Sequence, residues 1–331
     1  MALVAEGPNF ERLLASGSTI HRIGARGNHD VSILWAIVRL VRTIRPNLVQ
    51  TWITQMDVFG GIASRVTGTP FVLSERSCVA AYPPSFKNGL RVRVGRYAAA
   101  IVANSNDGRY YWENRARECT PKYVIPNGIP LGDIANVEDA SFGVCLPSTS
   151  RLVLFAGRFS PEKNIGKIIQ AFKIVVHESD SILMLCGDGA LRPQIETVIR
   201  RENLNDHVLL PGYVRDLWPL MKCAKVFINL STFEGQPNGV LEAMACSCPL
   251  VLSDIPAHRA FLEGDQAFFV ELERPSEIAH AILTCIDRPE VAQRMAKKAK
   301  ARASSFSVQA VTDQYESVYN QILSHSIQER R

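Results

Sequence analysis

Twice along this chain, short runs rich in β-branched and aromatic residues alternate with longer stretches whose apolar residues recur every three or four positions. That βαβα rhythm is the pattern of a parallel sheet with helices on both faces. In the first series, residues 31–45 carry Ile33, Leu34, Ile37, Val38, Val41 and Ile44 on one helix face, and Pro46 ends the helix. A short strand is expected near Ile20, then strand 48–51, helix 57–67, strand 71–74, helix 87–97, and strands 99–103 and 122–125. A second series starts at Leu152: strand 152–156, helix 161–177, strand 182–186, helix 191–202, strand 208–210, strand 225–230, helix 239–246 and strand 249–252. From Ser276 onward the tail reads as helical. Between the two series the periodicity fades, and Pro126, Gly128, Pro130, Gly132, Gly143 and Pro147 mark residues 126–150 as a linker.

A chain of 331 residues has room for two domains. The expected bounds are 1–145, 146–306, and a C-terminal helix over 307–331 that packs back towards the first domain. Two α/β layers joined by a loop place a ligand cleft between them, outside the carboxyl ends of the strands. The net charge of +5 is uneven: residues 1–145 carry 16 Lys and Arg against 11 Asp and Glu, whereas residues 146–331 carry 21 of each. The excess gathers at Lys87, Arg91, Arg93 and Arg96 on one expected helix, and at Arg109, Arg115 and Arg117 on the next. An anionic membrane surface is the expected partner of those helices; a solvated face balanced by nearby acids is the plainer alternative.

Eight cysteines are scattered, and only Cys246 and Cys248 are close, with no second pair at zinc-binding spacing. They read as buried free thiols of a reducing compartment. No apolar run reaches the ~20 residues of a membrane span, and the start has neither the basic flank nor the length of a signal peptide. The expected location is the cytoplasm, with peripheral contact at the inner face of the membrane.

Two strings carry chemistry. In FAGRFSPEKN, residues 155–164, a strand ends at Gly157, Ser160 suits an N-cap and Pro161 the first helical position. Arg158 and Lys163 then stand beside free amides at a helix N-terminus, an arrangement suited to a diphosphate. Taken alone, the loop is equally a surface turn with two solvated charges. In FEGQPNGVLEAMA, residues 233–245, Asn238 suits an N-cap, so that Glu242 falls in the first turn of a helix while Glu234 lies on the loop before it. Carboxylates there can accept hydrogen bonds from sugar and ribose hydroxyls, and the amides suit phosphate.

From Leu152 to about Leu262 the chain resembles the donor-binding domain of the retaining glycosyltransferases of family 4. The resemblance rests on GRFSPEKN (157–164), CGDGALR (186–192), LPGYV (210–214), EGQPNGVLEAMA (234–245) and SDIPAHR (253–259), in that order. Weaker matches are RPNLVQTW (45–52), VANS (102–105) and IPNGI (125–129).

The resemblance implies a GT-B-like α/β fold, two Rossmann-type domains facing across a cleft. It implies transfer, with retention, of a hexose-type sugar from a UDP- or GDP-linked donor to a glycan or lipid-linked acceptor, as in cell-surface polysaccharide or glycoconjugate synthesis. Arg158 and Lys163 would hold the diphosphate and stabilise charge on the leaving nucleotide. Glu234 would bind hydroxyls of the transferred sugar and Glu242 the ribose. Gly157, Gly235, Asn238, Gly239, Val240 and Leu241 would add donor contacts, and Gly212, Tyr213 and Val214 would line the base pocket. No metal or other cofactor and no nucleic-acid partner is implied, and no DxD motif is present.

The chain also departs from the family. About 40–60 residues of a usual first βαβ unit are expected to be missing, so the N-terminal domain reads as incomplete. Ser247 stands where the family has Gly, Ala260 where it has Glu, and Glu75-Arg76-Ser77 where a sugar-contacting His is common. A nucleotide-sugar-binding protein without turnover is therefore an alternative, and a sugar-nucleotide epimerase of the same fold is another. A nicotinamide or flavin enzyme fits less well: after Gly187-Asp188-Gly189, Arg192 replaces the third glycine of the fingerprint.

Overall fold

The computed structural model describes residues 2–3, 10–27, 30–137 and 151–328. They divide into two units, Met1–Pro126 with Thr312–Arg331, and Asn127–Val311. In the first unit, β1 (Ala2–Leu3) and β2 (His21–Arg22) form a small parallel pair with α1 (Phe10–Ala15) between them in sequence. Then follow α2 (Ser32–Ile44), β3 (Val49–Trp52), α3 (Thr54–Thr67), β4 (Phe71–Glu75), α4 (Phe86–Gly95), β5 (Ala100–Ala103), α5 (Asn106–Glu113) and β6 (Lys122–Val124). The strands β3 to β6 pair in chain order, all parallel. The apolar stripe of α2 behaves as its periodicity predicts: Ile33, Ile37, Val38 and Val41 are buried.

The basic cluster on α4 is not the continuous solvated face its composition suggests. Arg91 is 1% exposed. Its Nε donates to Asp57 Oδ2 on α3 and its Nη1 to Glu75 Oε2 at the end of β4, both at 2.7 Å. Glu75 also accepts from Trp112 Nε1 at 3.0 Å and Tyr82 Oη at 2.6 Å. Burial pushes the Asp57 carboxyl up to about 6, although Arg91 pulls the other way. Glu75 is thus a structural hub beneath the turn after β4. Arg115 and Arg117 lie beyond the end of α5, their guanidinium groups over the rings of Tyr111 and Tyr97. Lys87, Arg93 and Arg96 remain exposed.

The second unit opens with α6 (Leu131–Asn136), so the stretch read as linker is helical near its start, and Ile134 is buried in the core. Residues 138–150 of that stretch lie outside the described residues. The chain continues through β7 (Arg151–Ala156), α7 (Ile165–Glu178), β8 (Ser181–Cys186), α8 (Arg192–Arg201), β9 (Val208–Gly212), α9 (Trp218–Cys223), β10 (Val226–Asn229), α10 (Asn238–Ala245), β11 (Leu250–Ser253), α11 (Pro256–Arg259) and β12 (Phe268–Val270). The tail is helical, as α12 (Pro275–Asp287), α13 (Pro289–Ala303) and α14 (Val308–Gln328), with a 3-10 turn over Ser304–Phe306 before the last.

All six strands are parallel, in the order β12-β11-β10-β7-β8-β9. Both faces are covered: Ile168, Phe172, Ile195 and Ile282 pack on one, Met221, Leu241, Met244 and Ala299 on the other. The order in which strands are added reverses between β7 and β10, which sit side by side: β8 and β9 extend the sheet one way, β11 and β12 the other. The loops leaving their carboxyl ends run to opposite faces, and the crevice between them is where such a sheet binds ligands. Both chemical strings identified in the sequence leave the sheet at that point.

Candidate active site

The loop after β7 is fixed by close backbone contacts. Gly157 N donates to Cys186 O at 2.9 Å, and Gly187 N to Gly212 O at 2.7 Å, so the turns after β7, β8 and β9 are laced side by side. A Cβ on Gly187 would lie 1.9 Å from Gly157 O, and its φ of +146° also calls for glycine. Arg158 follows on the exposed part of the loop. Ser160 does not cap a helix: its Oγ donates to Glu162 Oε1 at 2.6 Å, and residues Pro161–Lys163 form a 3-10 turn. Asn164, left-handed at φ 50°, breaks that turn from α7. Lys163 therefore stands at the end of the short turn, not in the first turn of the long helix. Asn164 Nδ2 ties the turn to the loop after β10, donating to Leu230 O and Thr232 Oγ1, each at 2.8 Å.

That tie brings the two strings together. Lys163 Nζ makes an ion pair with Glu234 Oε1, and the side chains are only 17% and 13% exposed. Ser231 Oγ donates to the same Oε1 at 2.7 Å. Ser231 is itself held, its N–H donating to Asn229 Oδ1 at 3.0 Å and its carbonyl accepting from Ser253 Oγ at 2.6 Å.

The start of α10 differs from the sequence expectation. Pro237 takes the extended N-cap position and Asn238 is the first helical residue. The Asn238 Oδ1 accepts from Asn127 Nδ2 at 2.6 Å, and Asn127 also binds both the side chain and the carbonyl of Gln236. Gly239 lets the helix start sit close to the sheet, since a Cβ there would be 3.2 Å from the Phe227 ring. Glu242 is therefore one residue further into the helix than expected, and it accepts from Trp218 Nε1 at 3.2 Å. Gly235, Val240 and Leu241 are buried beside it. At the end of β9, Gly212 has φ +79°, Tyr213 is exposed and Val214 packs against the core.

His258 on α11 was not among the expected site residues. Its Nδ1 lies 2.8 Å from Ser253 O, a carbonyl that can only accept, so Nδ1 carries the proton. Its Nε2 is buried and has no hydrogen-bond partner. Burial lowers its pKa, and the nearby Lys163 charge adds to this, while the bond to Ser253 and the charge of Glu234 oppose it. The imidazole is neutral beside the Lys163–Glu234 pair. Ser231, Asn164, Asn127 and Trp218 were also missed, because their roles depend on which loops the sheet order makes neighbours.

Chemically, the carboxyl edge of β7 and β10 offers one exposed guanidinium, one ammonium, one anchored carboxylate and a helix start. The arrangement can receive an anion and hydroxyl groups at one place. Comparison with known proteins points the same way. The family model described as glycosyl transferases group 1 matches residues 137–302. The N-acetylgalactosamine-N,N'-diacetylbacillosaminyl-diphospho-undecaprenol 4-alpha-N-acetylgalactosaminyltransferase of Campylobacter jejuni is 29% identical over 187 residues, covering 55% of this chain and 49% of that protein. The UDP-Gal:alpha-D-GlcNAc-diphosphoundecaprenol alpha-1,3-galactosyltransferase of Escherichia coli is 23% identical over 311 residues, 88% of this chain and 79% of that one. The chain thus spans about half the length of the first of these relatives. Among solved structures, Anabaena Alr3699/HepE in complex with UDP and glucose aligns with a TM-score of 0.81 at 21% identity, over 97% of this chain and 91% of that one. At that identity the likeness speaks to the fold, which is α/β and GT-B-like with two Rossmann-like domains.

Proposed function

The chain belongs to the group 1 glycosyl transferases, and we propose that it moves a hexose-type sugar, with retention, from a UDP- or GDP-linked donor to a glycan or lipid-linked acceptor. The observation that carries this reading is the meeting of Lys163 and Glu234 at the switch point of the second sheet, with Arg158 on the adjoining loop. In the reaction, the bond from the anomeric carbon to the diphosphate oxygen breaks, one to the acceptor hydroxyl oxygen forms, and the hydroxyl proton passes to the departing diphosphate. Negative charge collects on the departing diphosphate, where Arg158 and Lys163 stabilise it in place of a divalent ion. Glu234 holds hydroxyls of the transferred sugar. Glu242, fixed by Trp218, serves the ribose, with Gly212–Val214 beside the base. The lipid-linked acceptors named in the two relatives support an acceptor of that class, presented at a membrane surface. Among the described residues no helix is long and apolar enough to cross a membrane.

The test is a thermal-shift panel of UDP, GDP, UMP, GMP and their sugar conjugates. A ligand at 100 times its dissociation constant adds ~2.7 kcal/mol of native stability. One diphosphate series should stabilise the protein, and Arg158→Ala and Lys163→Ala should each weaken that binding by about 1.5–3 kcal/mol; the unliganded midpoint should stay near the parent's for Arg158→Ala and fall for Lys163→Ala, which leaves Glu234 without its cation. A panel in which nothing shifts the parent, or in which both variants respond like it, removes the donor-site assignment.

A further inference from the structure

We infer that Lys163 changes partner when the donor binds: the free protein holds it on Glu234, and the arriving diphosphate draws it away and so releases the carboxylate for the sugar. This rests on the donor-site reading given above and adds to it an order of events.

Four features of the site lead there. First, the Lys163–Glu234 pair is largely withdrawn from water, with both side chains under one-fifth exposed. Such a pair is worth more than a screened surface pair and less than a fully buried one. Second, the two loop cations are not equivalent. Arg158 is exposed and makes no ion pair among the described residues, so it can meet an anion at once. Lys163 must first give up a partner. Third, Glu234 does not depend on Lys163 for its place, because Ser231 Oγ donates to the same oxygen and Ser231 is fixed to Asn229 and Ser253. When the ammonium leaves, the carboxylate stays where it is and gains accepting capacity. Fourth, the backbone of Lys163 is clamped, its N–H to Ser160 O at 3.0 Å and the next residue to Leu230 and Thr232. Only the flexible side chain has to swing. The neutral His258 offers no replacement cation.

The consequence is a site that discriminates against the spent nucleotide. A bare diphosphate must break the ion pair and leaves the acid without a partner. A nucleotide-sugar breaks the same pair but supplies hydroxyl donors to the freed carboxylate, and recovers what was lost.

Calorimetric titration of the full chain with the preferred diphosphate, its monophosphate and its sugar conjugate tests this. Glu234→Gln keeps an oxygen for Ser231 but removes the charge. It should bind the diphosphate about tenfold more tightly, equivalent to ~1.4 kcal/mol, bind the monophosphate unchanged, and gain nothing for the sugar conjugate. In a Lys163→Ala background the same substitution should give a clearly smaller gain, since there is no pair to break. A gain as large or larger without Lys163 would mean that Glu234 only repels phosphate, and would overturn the exchange. No gain with Lys163 present would mean that the ammonium bridges both groups at once, and would equally overturn it. If the parent binds neither UDP nor GDP, the donor-site reading itself fails, and the exchange with it.

Discussion

Ser247 shows how one residue carries information that a motif match only flags. The family resemblance leads one to expect Gly there, and the structure gives a physical reason for that expectation. Ser247 has φ 59°, in the left-handed region. It ends α10: its N–H donates to Met244 O at 3.0 Å and that of Cys248 to Ala243 O at 2.9 Å. Those two bonds are the Schellman closure of a helix, whose residue just past the cap is normally Gly because a Cβ is penalised there. The chain accepts that strain at the end of the helix that carries Glu242. Ser247→Gly should therefore raise stability by about 0.5–1 kcal/mol, the relief of the Cβ penalty less the extra freedom that Gly gives the unfolded chain. The check is the midpoint of thermal unfolding; a lower midpoint would show that the Ser side chain contributes something its backbone conformation hides. By contrast Asn164, also left-handed, has a residue type that tolerates the conformation and uses its amide to join two loops.

At the scale of elements, the carboxyl ends of β10 and β11 are held as one layer by Ser231, Ser253 and His258, and this layer makes a pH prediction. His258 is buried and its pKa lies below the usual 6.5. As pH falls through 6.5 the unfolded chain takes up a proton that the native state refuses. The unfolded state then binds more protons, so stability drops with falling pH from about 6.5 down to the lowered native value, and is fully present above 6.5. His258→Asn keeps a donor for Ser253 O and cannot titrate. Its denaturation midpoint should change less between pH 7.5 and 5.5 than the parent's; equal changes would place the titration elsewhere. None of this layer was legible in the sequence, although the strands themselves were. The βα rhythm located most elements because apolar periodicity is local. The inner face of α2, with Ile33, Ile37, Val38 and Val41, is a direct case. Cap positions failed where a neighbour competed. Pro237, already extended, displaced Asn238 from the N-cap, and left-handed Asn164 separated Lys163 from α7. β12, three residues long, and α9, which begins Trp218-Pro219, offered too little periodicity to be seen. The site residues Arg158, Lys163, Glu234 and Glu242 were legible as strings, but their meeting was not, because it depends on β7 and β10 being neighbours in a six-stranded order.

For the molecule as a whole, the uneven charge remains to be placed, and burial sharpens the question. Of the cluster on α4, Arg91 is spent inside the fold on Asp57 and Glu75. What reaches solvent is Phe86, 88% exposed, with Lys87 next to it in sequence, Arg93 about two turns further along the same side as Phe86, and Arg96 just past the helix end. The outer side of α2 repeats the combination, with Trp35 70% exposed and Arg39 and Arg42 following at four and seven residues. A bulky aromatic flanked by cations suits the boundary of an anionic bilayer better than open water, since the ring can enter the headgroup region while the charges meet lipid phosphates. A merely solvated face would account for the cations but not for the two rings. Each cation near such a surface contributes about 1 kcal/mol. Replacing Lys87, Arg93 and Arg96 together by Glu should therefore weaken association by about 3 kcal/mol or more, a hundredfold or greater loss, without touching the Arg91 network that holds α4 in place. Co-sedimentation with vesicles reads this directly. The parent should pellet with anionic lipid, stay in solution with neutral lipid, and release as salt rises, because exposed charges are screened within about 10 Å at 0.1 M. A parent that ignores lipid charge, or a triple variant that pellets as well as the parent, would leave these helices as solvated faces and make a soluble acceptor the better assignment.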